Sequence, residues 1–117
     1  MILGTVSADG VPTINLDVAG QTFSAIVDTG FNGDLELPLE LRDLLNARYV
    51  GKLTSVLAAG QRIQEDVYRL DFPFDGREVT VNVTFAAGSE ILIGTRLLKQ
   101  YQLEINSKMR TLLLDRA

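Results

Sequence analysis

The chain has 117 residues, 46% of them hydrophobic and 22% charged, a balance that fits one folded domain over 1–117 and argues against disorder. It holds no cysteine and no histidine, which excludes disulfides, thiol nucleophiles, Ser-His and Cys-His pairs, and metal sites built on thiolate or imidazole. The net charge of −4 comes without a basic run, so no nucleic-acid partner is expected. No stretch is long enough to span a membrane, and Met1-Ile2-Leu3-Gly4-Thr5 lacks the features of a signal peptide, so the expected location is cytoplasmic.

Ile14, Leu16 and Val18 alternate with polar residues, as do Phe23, Ala25 and Val27 after Ala19-Gly20-Gln21, so residues 11–27 are expected to form a β-hairpin ending at Asp28. A brief strand over 35–37 precedes Pro38, which opens a helix predicted over 38–47, with Leu41, Leu44 and Leu45 on one side. Tyr49 to Leu57 and Arg62 to Leu70 read as two strands joined by Ala58-Ala59-Gly60-Gln61, a tip of small residues. Asp75-Gly76 marks another hairpin turn, followed by the period-2 run Val79, Val81, Val83, Phe85. Ile91-Leu92-Ile93 is a short buried-type strand closed by Gly94. Thr95 to Tyr101 suggests a short helix, and Leu103 to Ile105 and Thr111 to Leu114 suggest two strands around a turn at Asn106-Ser107-Lys108. The fold class is therefore mostly β with one or two short helices.

Without Cys and His, the available chemistry reduces to carboxylates, Ser with Lys, Tyr, or a metal on oxygen ligands. Lys52, Lys99 and Lys108 all lie in polar surroundings that do not favour a Ser-Lys pair. The conspicuous site is Ala25-Ile26-Val27-Asp28-Thr29-Gly30, where an apolar strand delivers an acid, a hydroxyl and a glycine. Burial at a strand end favours the neutral acid, and glycine lets a ligand approach the backbone. The same tripeptide also suits a plain turn held by an Asx hydrogen bond.

Ile26-Val27-Asp28-Thr29-Gly30, with Leu92-Ile93-Gly94 and Leu97-Leu98 later in the chain, resembles the retropepsin-like aspartic peptidases. That family pairs an apolar-apolar-Asp-Thr/Ser-Gly loop with a later apolar-apolar-Gly. The string from Asp28-Thr29-Gly30-Phe31-Asn32-Gly33 to Leu35-Glu36-Leu37-Pro38 is especially similar to small bacterial and archaeal members, and the resemblance spans about residues 11–115. It implies a small closed acid-protease-type β barrel, one lobe per chain. It also implies an aspartic endopeptidase acting on peptide or protein substrates, with no cofactor and no metal. The catalytic residues would be Asp28, Thr29 and Gly30. Phe31, Asn32, Ala58, Ala59, Gly60 and Ile93 would contact substrate, the three at 58–60 from a flap. Family chemistry needs two carboxylates sharing a proton, and the chain has one Asp-Thr-Gly, so a homodimer with Asp28 on its twofold axis is implied.

Some positions depart from the retroviral pattern. Phe31 stands where a small residue is common, Asn32 where an acid is common, and Thr95 and Arg96 where Arg and then Asp or Asn are common. The ion pair that braces viral dimers cannot form here, so bracing through Met1-Ile2-Leu3 and Leu112-Leu113-Leu114 is expected instead. The alternative function is a catalytically silent dimer of the same fold that binds peptides or supports assembly.

Overall fold

A computed structural model describes residues 1–57 and 59–117. Ten strands form one hydrogen-bonded sheet: β1 (Ile2–Val6), β2 (Pro12–Val18), β3 (Gln21–Val27), β4 (Leu35–Pro38), β5 (Arg48–Val56), β6 (Arg62–Phe74), β7 (Arg77–Ala86), β8 (Ile91–Ile93), β9 (Tyr101–Asn106) and β10 (Thr111–Arg116). Their spatial order is β5-β6-β7-β4-β8-β3-β2-β1-β10-β9. The sheet is thus not the closed barrel expected, because β5 and β9 remain its two edges among the described residues. No helix among those residues is long and apolar enough to cross a membrane.

The hairpins follow from local chemistry. Ala19 and Gly20 (φ 51° and 78°) turn β2 into β3, and Asp75 and Gly76 (φ 53° and 75°) turn β6 into β7. Both are two-residue turns with paired positive φ, whose twist matches that of the flanking strands. Alternation then sends Ile14, Leu16, Val18, Ala25, Val27, Leu70, Phe72, Phe74, Val81 and Val83 into one core. Burying the Val, Leu, Ile and Phe side chains among them stabilises the fold by about 1.5–3 kcal/mol each before chain entropy is charged against it.

Two expected helices need correction. The helix predicted over 38–47 is a shorter 3-10 helix, Leu39–Leu44, which follows Pro38 at the end of β4 and buries only Leu41. Thr95 to Tyr101 is not a helix. Its backbone makes overlapping four-residue turns (Leu98 N–H to Thr95 O, 3.2 Å; Lys99 N–H to Arg96 O, 3.5 Å; Tyr101 N–H to Leu98 O, 2.8 Å), and pairing with Arg116 draws Tyr101 into β9. The apolar termini pair with each other within the chain, Ile2 opposite Leu114 and Gly4 opposite Leu112. Leu112 and Leu114 are buried in the core, whereas Met1 and Leu3 are strongly exposed.

Candidate active site

The site forms where two chain segments cross. β3 lies parallel to β8, with Val27 beside Ile93, and β8 lies antiparallel to β4, with Ile93 beside Leu35. The loop from Asp28 to Asp34 therefore leaves β3 on one side of β8 and re-enters the sheet on the other. Backbone hydrogen bonds fasten it to the segment after β8. Asp28 N–H donates to Ile93 O (2.9 Å), Gly94 N–H to Asp34 O (3.0 Å), Thr95 N–H to Phe31 O (2.9 Å) and Arg96 N–H to Gly33 O (3.2 Å). Ile93 and Leu35, both completely buried, anchor the crossing from below.

This closeness explains two glycines. A Cβ at Gly94 would lie 2.0 Å from the Gly33 carbonyl oxygen and 2.9 Å from the Phe31 ring, and one at Gly33 would lie 2.6 Å from that ring. Phe31 thus packs its ring against Gly33 and Gly94, where the two loops meet, while still lining the cleft. Its bulk, which departs from the retroviral pattern, is used in packing the loop.

Asp28 is half-buried, and Thr29 and Gly30 are exposed. Gly30 N–H donates to Asp28 Oδ1 (2.9 Å), and Phe31 N–H donates to Asp28 O (3.1 Å). The Asx hydrogen bond of a plain turn is therefore present, and it holds the carboxyl in place at the mouth of a cleft of about 750 Å3. That cleft is lined by the Asp28 loop with Asn32, by Glu36 and Leu92 on its floor, and by Val50 to Leu57 of the β5–β6 hairpin. Val50, Leu53, Val56 and Leu57 are exposed apolar residues of that hairpin. Its base is held by edge-to-face rings, Tyr49 on Tyr68 (5.5 Å) and Tyr68 on Phe85 (5.3 Å), and by Lys52 Nζ on Asp66 (2.7 Å).

Of the residues expected to meet substrate, Phe31 and Asn32 line this cleft. Ile93 does not: its side chain is in the core, and its neighbour Leu92 faces the cleft, because successive side chains on a strand point to opposite faces. Ala59 and Gly60 are exposed at the hairpin tip, closed by Gly60 N–H on Leu57 O (2.8 Å), and Ala58 lies outside the described residues.

Two acids went unnoticed in the sequence. Asp34 is the one charged residue buried among those described. Its Oδ2 accepts Asn82 N–H (2.8 Å), tying the loop to β7, and its Oδ1 is 4.0 Å from Arg96 Nε. Glu36 sits opposite Thr84 and Leu92 in the sheet register. Burial raises its pKa first, the nearby Glu65 carboxylate second and Asp28 third. Thr84 Oγ1 beside it is buried and has no hydrogen-bond partner among the described residues.

No protein-family model matches the sequence, and no curated protein matches it significantly. Solved structures do. A retropepsin-like aspartic protease from Rickettsia conorii is similar over 97% of this chain and 88% of its own, with 22% identity and a TM-score of 0.63. The protease of simian foamy virus (mac) is similar over 74% of this chain and 91% of its own, with 22% identity and a TM-score of 0.57. The foamy viral protease-reverse transcriptase is similar over 82% of this chain but only 13% of its own, with 20% identity and a TM-score of 0.62. The crossing of β3, β8 and β4 beneath an Asp-Thr-Gly loop therefore belongs to a known architecture: the chain has the fold of the retropepsin-like aspartic proteases.

Proposed function

We propose that the chain is half of a homodimeric aspartic endopeptidase in which Asp28 and its counterpart from a second copy activate the attacking water. The observation that carries this reading is the placement of Asp28. It is fixed through its backbone to Ile93 and half-exposed at a cleft lined from the other side by an apolar hairpin. In the proposed reaction the ionised carboxylate takes a proton from water as its oxygen bonds to the scissile carbonyl carbon. The protonated carboxyl hydrogen-bonds the carbonyl oxygen. A proton then passes to the amide nitrogen as the C–N bond breaks, giving an acid and an amine. Thr29, exposed beside the acid, would reach its counterpart across the axis, and the β5–β6 hairpin would act as the flap.

The test is cleavage of a mixed peptide library by the parent protein and by Asp28→Asn from acidic to neutral pH. Cleavage by the parent alone supports the reading, together with a specific activity that falls on dilution through the dimer dissociation range. Cleavage that persists in Asp28→Asn refutes it. Equal inactivity of both proteins, with peptide still bound, would assign the silent binding module instead.

A further inference from the structure

A second groove, of about 400 Å3, opens beside the cleft and is lined by Arg69, Arg77, Arg96, Lys99 and Arg116. These are five of the eleven Lys and Arg residues in a chain of net charge −4. They come from β6, β7, the turns after β8 and the end of β10, so no basic run announces them in the sequence. All five are exposed. Among the described residues Asp34 is the only acid lining the groove, and it already accepts Asn82 N–H. The acids that bond the groove residues Thr80 and Tyr101 are themselves engaged. Asp71 accepts the Thr80 hydroxyl (2.8 Å), and Asp75 is held by the N-terminal ammonium (2.9 Å) and by Tyr101. Arg96 approaches Asp34 only at 4.0 Å, and Arg116 spans the Tyr101 ring. Arg69, Arg77 and Lys99 make no salt bridge among the described residues.

Position gives this charge a use. Asp34, Asn82 and Arg96 line the groove and the cleft alike, so the two adjoin across these residues. The cleft side carries Asp28, Glu36 and Glu65, and its Lys52 is paired with Asp66, so an acidic residue is opposed there, whereas the groove side attracts one.

We infer that the groove is an exosite for an acidic segment of the substrate polypeptide, lying next to an apolar scissile segment held in the cleft. The inference rests on the protease reading for the path of the chain, and goes beyond it in naming the substrate class. A nucleic acid fits less well: the protein is acidic overall, and the aromatic residues at the groove, Phe74 and Tyr101, pack edge-to-face on each other (5.5 Å), with Phe74 buried rather than offered for stacking.

Binding is measured on full-length Asp28→Asn by fluorescence anisotropy, so turnover does not enter. The probes are two labelled peptides sharing an apolar segment, one followed by a run of glutamates and the other by glutamines. The glutamate peptide should bind about tenfold more tightly at low salt, and the gap should close as the screening length shortens toward about 3 Å near 1 M salt. Arg69→Gln with Lys99→Gln should remove most of the preference, each exposed pairing being worth a factor of about two to five. Lys108→Gln, a cation outside the groove, should leave the preference intact. Equal binding of both peptides overturns the inference, as does a preference that survives the double substitution, or tighter binding of an oligonucleotide of matched charge. The two readings fail separately. A glutamate preference without cleavage by the parent protein keeps the exosite and removes the peptidase. Cleavage without any preference does the reverse.

Discussion

Gly94→Ala tests the crossing that holds Asp28. The added Cβ would stand 2.0 Å from the Gly33 carbonyl oxygen, whereas real contacts of this kind do not fall below 3.0 Å, so backbone must retreat by about 1 Å. The Gly33 carbonyl is not free to do so, because it accepts Arg96 N–H (3.2 Å) while Gly94 N–H donates to Asp34 O (3.0 Å) in the same turn. Losing both hydrogen bonds costs about 1 kcal/mol each, and overpacking adds about 1–3 kcal/mol. The expected destabilisation is about 3–5 kcal/mol. For a domain of this size, at about 4 °C per kcal/mol, that lowers the thermal midpoint by about 12–20 °C.

Stability alone would not separate a site effect from a fold effect, so Gly4→Ala serves as the comparison. Its Cβ would lie 2.2 Å from Thr13 O, a clash of the same kind in β1, away from the cleft. Both variants should melt early by differential scanning calorimetry. Assayed well below both midpoints, Gly4→Ala should keep its peptide cleavage. Gly94→Ala should lose about a hundredfold, because misplacing a reacting group by 1 Å has that effect. A Gly94→Ala protein that melts within about 2 °C of the parent, or that cleaves as Gly4→Ala does, would refute the account of the crossing.

Ile93→Ala should destabilise by about 2–5 kcal/mol, as expected for a wholly buried aliphatic, whereas Leu92→Ala should cost less and instead change which peptides are cleaved, read from denaturant melts and product sequencing. Asp34→Ala should cost about 1–3 kcal/mol by leaving Asn82 N–H without its acceptor, and hydrogen exchange at that amide should speed up. Glu36 has a folded-state pKa raised above 4.5, so the folded state binds its proton more readily than the unfolded chain. Its contribution is favourable below 4.5 and is lost as pH rises through the raised value; Glu36→Gln should therefore gain stability over the parent above that range and flatten the melting profile there. A Glu36→Gln profile that tracks the parent at every pH would contradict this sign.

The hairpins were legible because alternation and turn chemistry agree: Ile14-Asn15-Leu16-Asp17-Val18 before a glycine turn has one sensible pairing. β1 was not legible, since Gly4 occupies the position on the Ile2 and Val6 face where an apolar residue would complete the pattern, and only its missing Cβ leaves room for Thr13 O. Leu97-Leu98 suggested a helix whose last residue the β9–β10 pairing claims. Asp28 announced itself through the apolar strand before it. Asp34 did not, because a charged residue after Asn32-Gly33 reads as the exposed end of a turn. Its burial is decided by Asn82, on a strand far away in sequence. The choice of Leu92 over Ile93 likewise depends on register with β3 and β4, which a three-residue apolar run does not specify.

Glu36 raises the question of whether one chain already contains the second acid. Two carboxyls that share a proton perturb each other more than anything else does, since ionising one opposes ionising its neighbour directly. The surroundings of Glu36 give Asp28 a lesser part. Burial is the largest cause of its raised pKa, Glu65 is next, and Asp28 contributes least of the three. Its place opposite Thr84 and Leu92 sets it in the sheet floor, whereas Asp28 rides on the loop above β8. On this reading Glu36 is an acid of the cleft floor and not the partner of Asp28. Under the proposed chemistry that partner has to come from a second copy, so Glu36→Gln should retain cleavage where Asp28→Asn abolishes it.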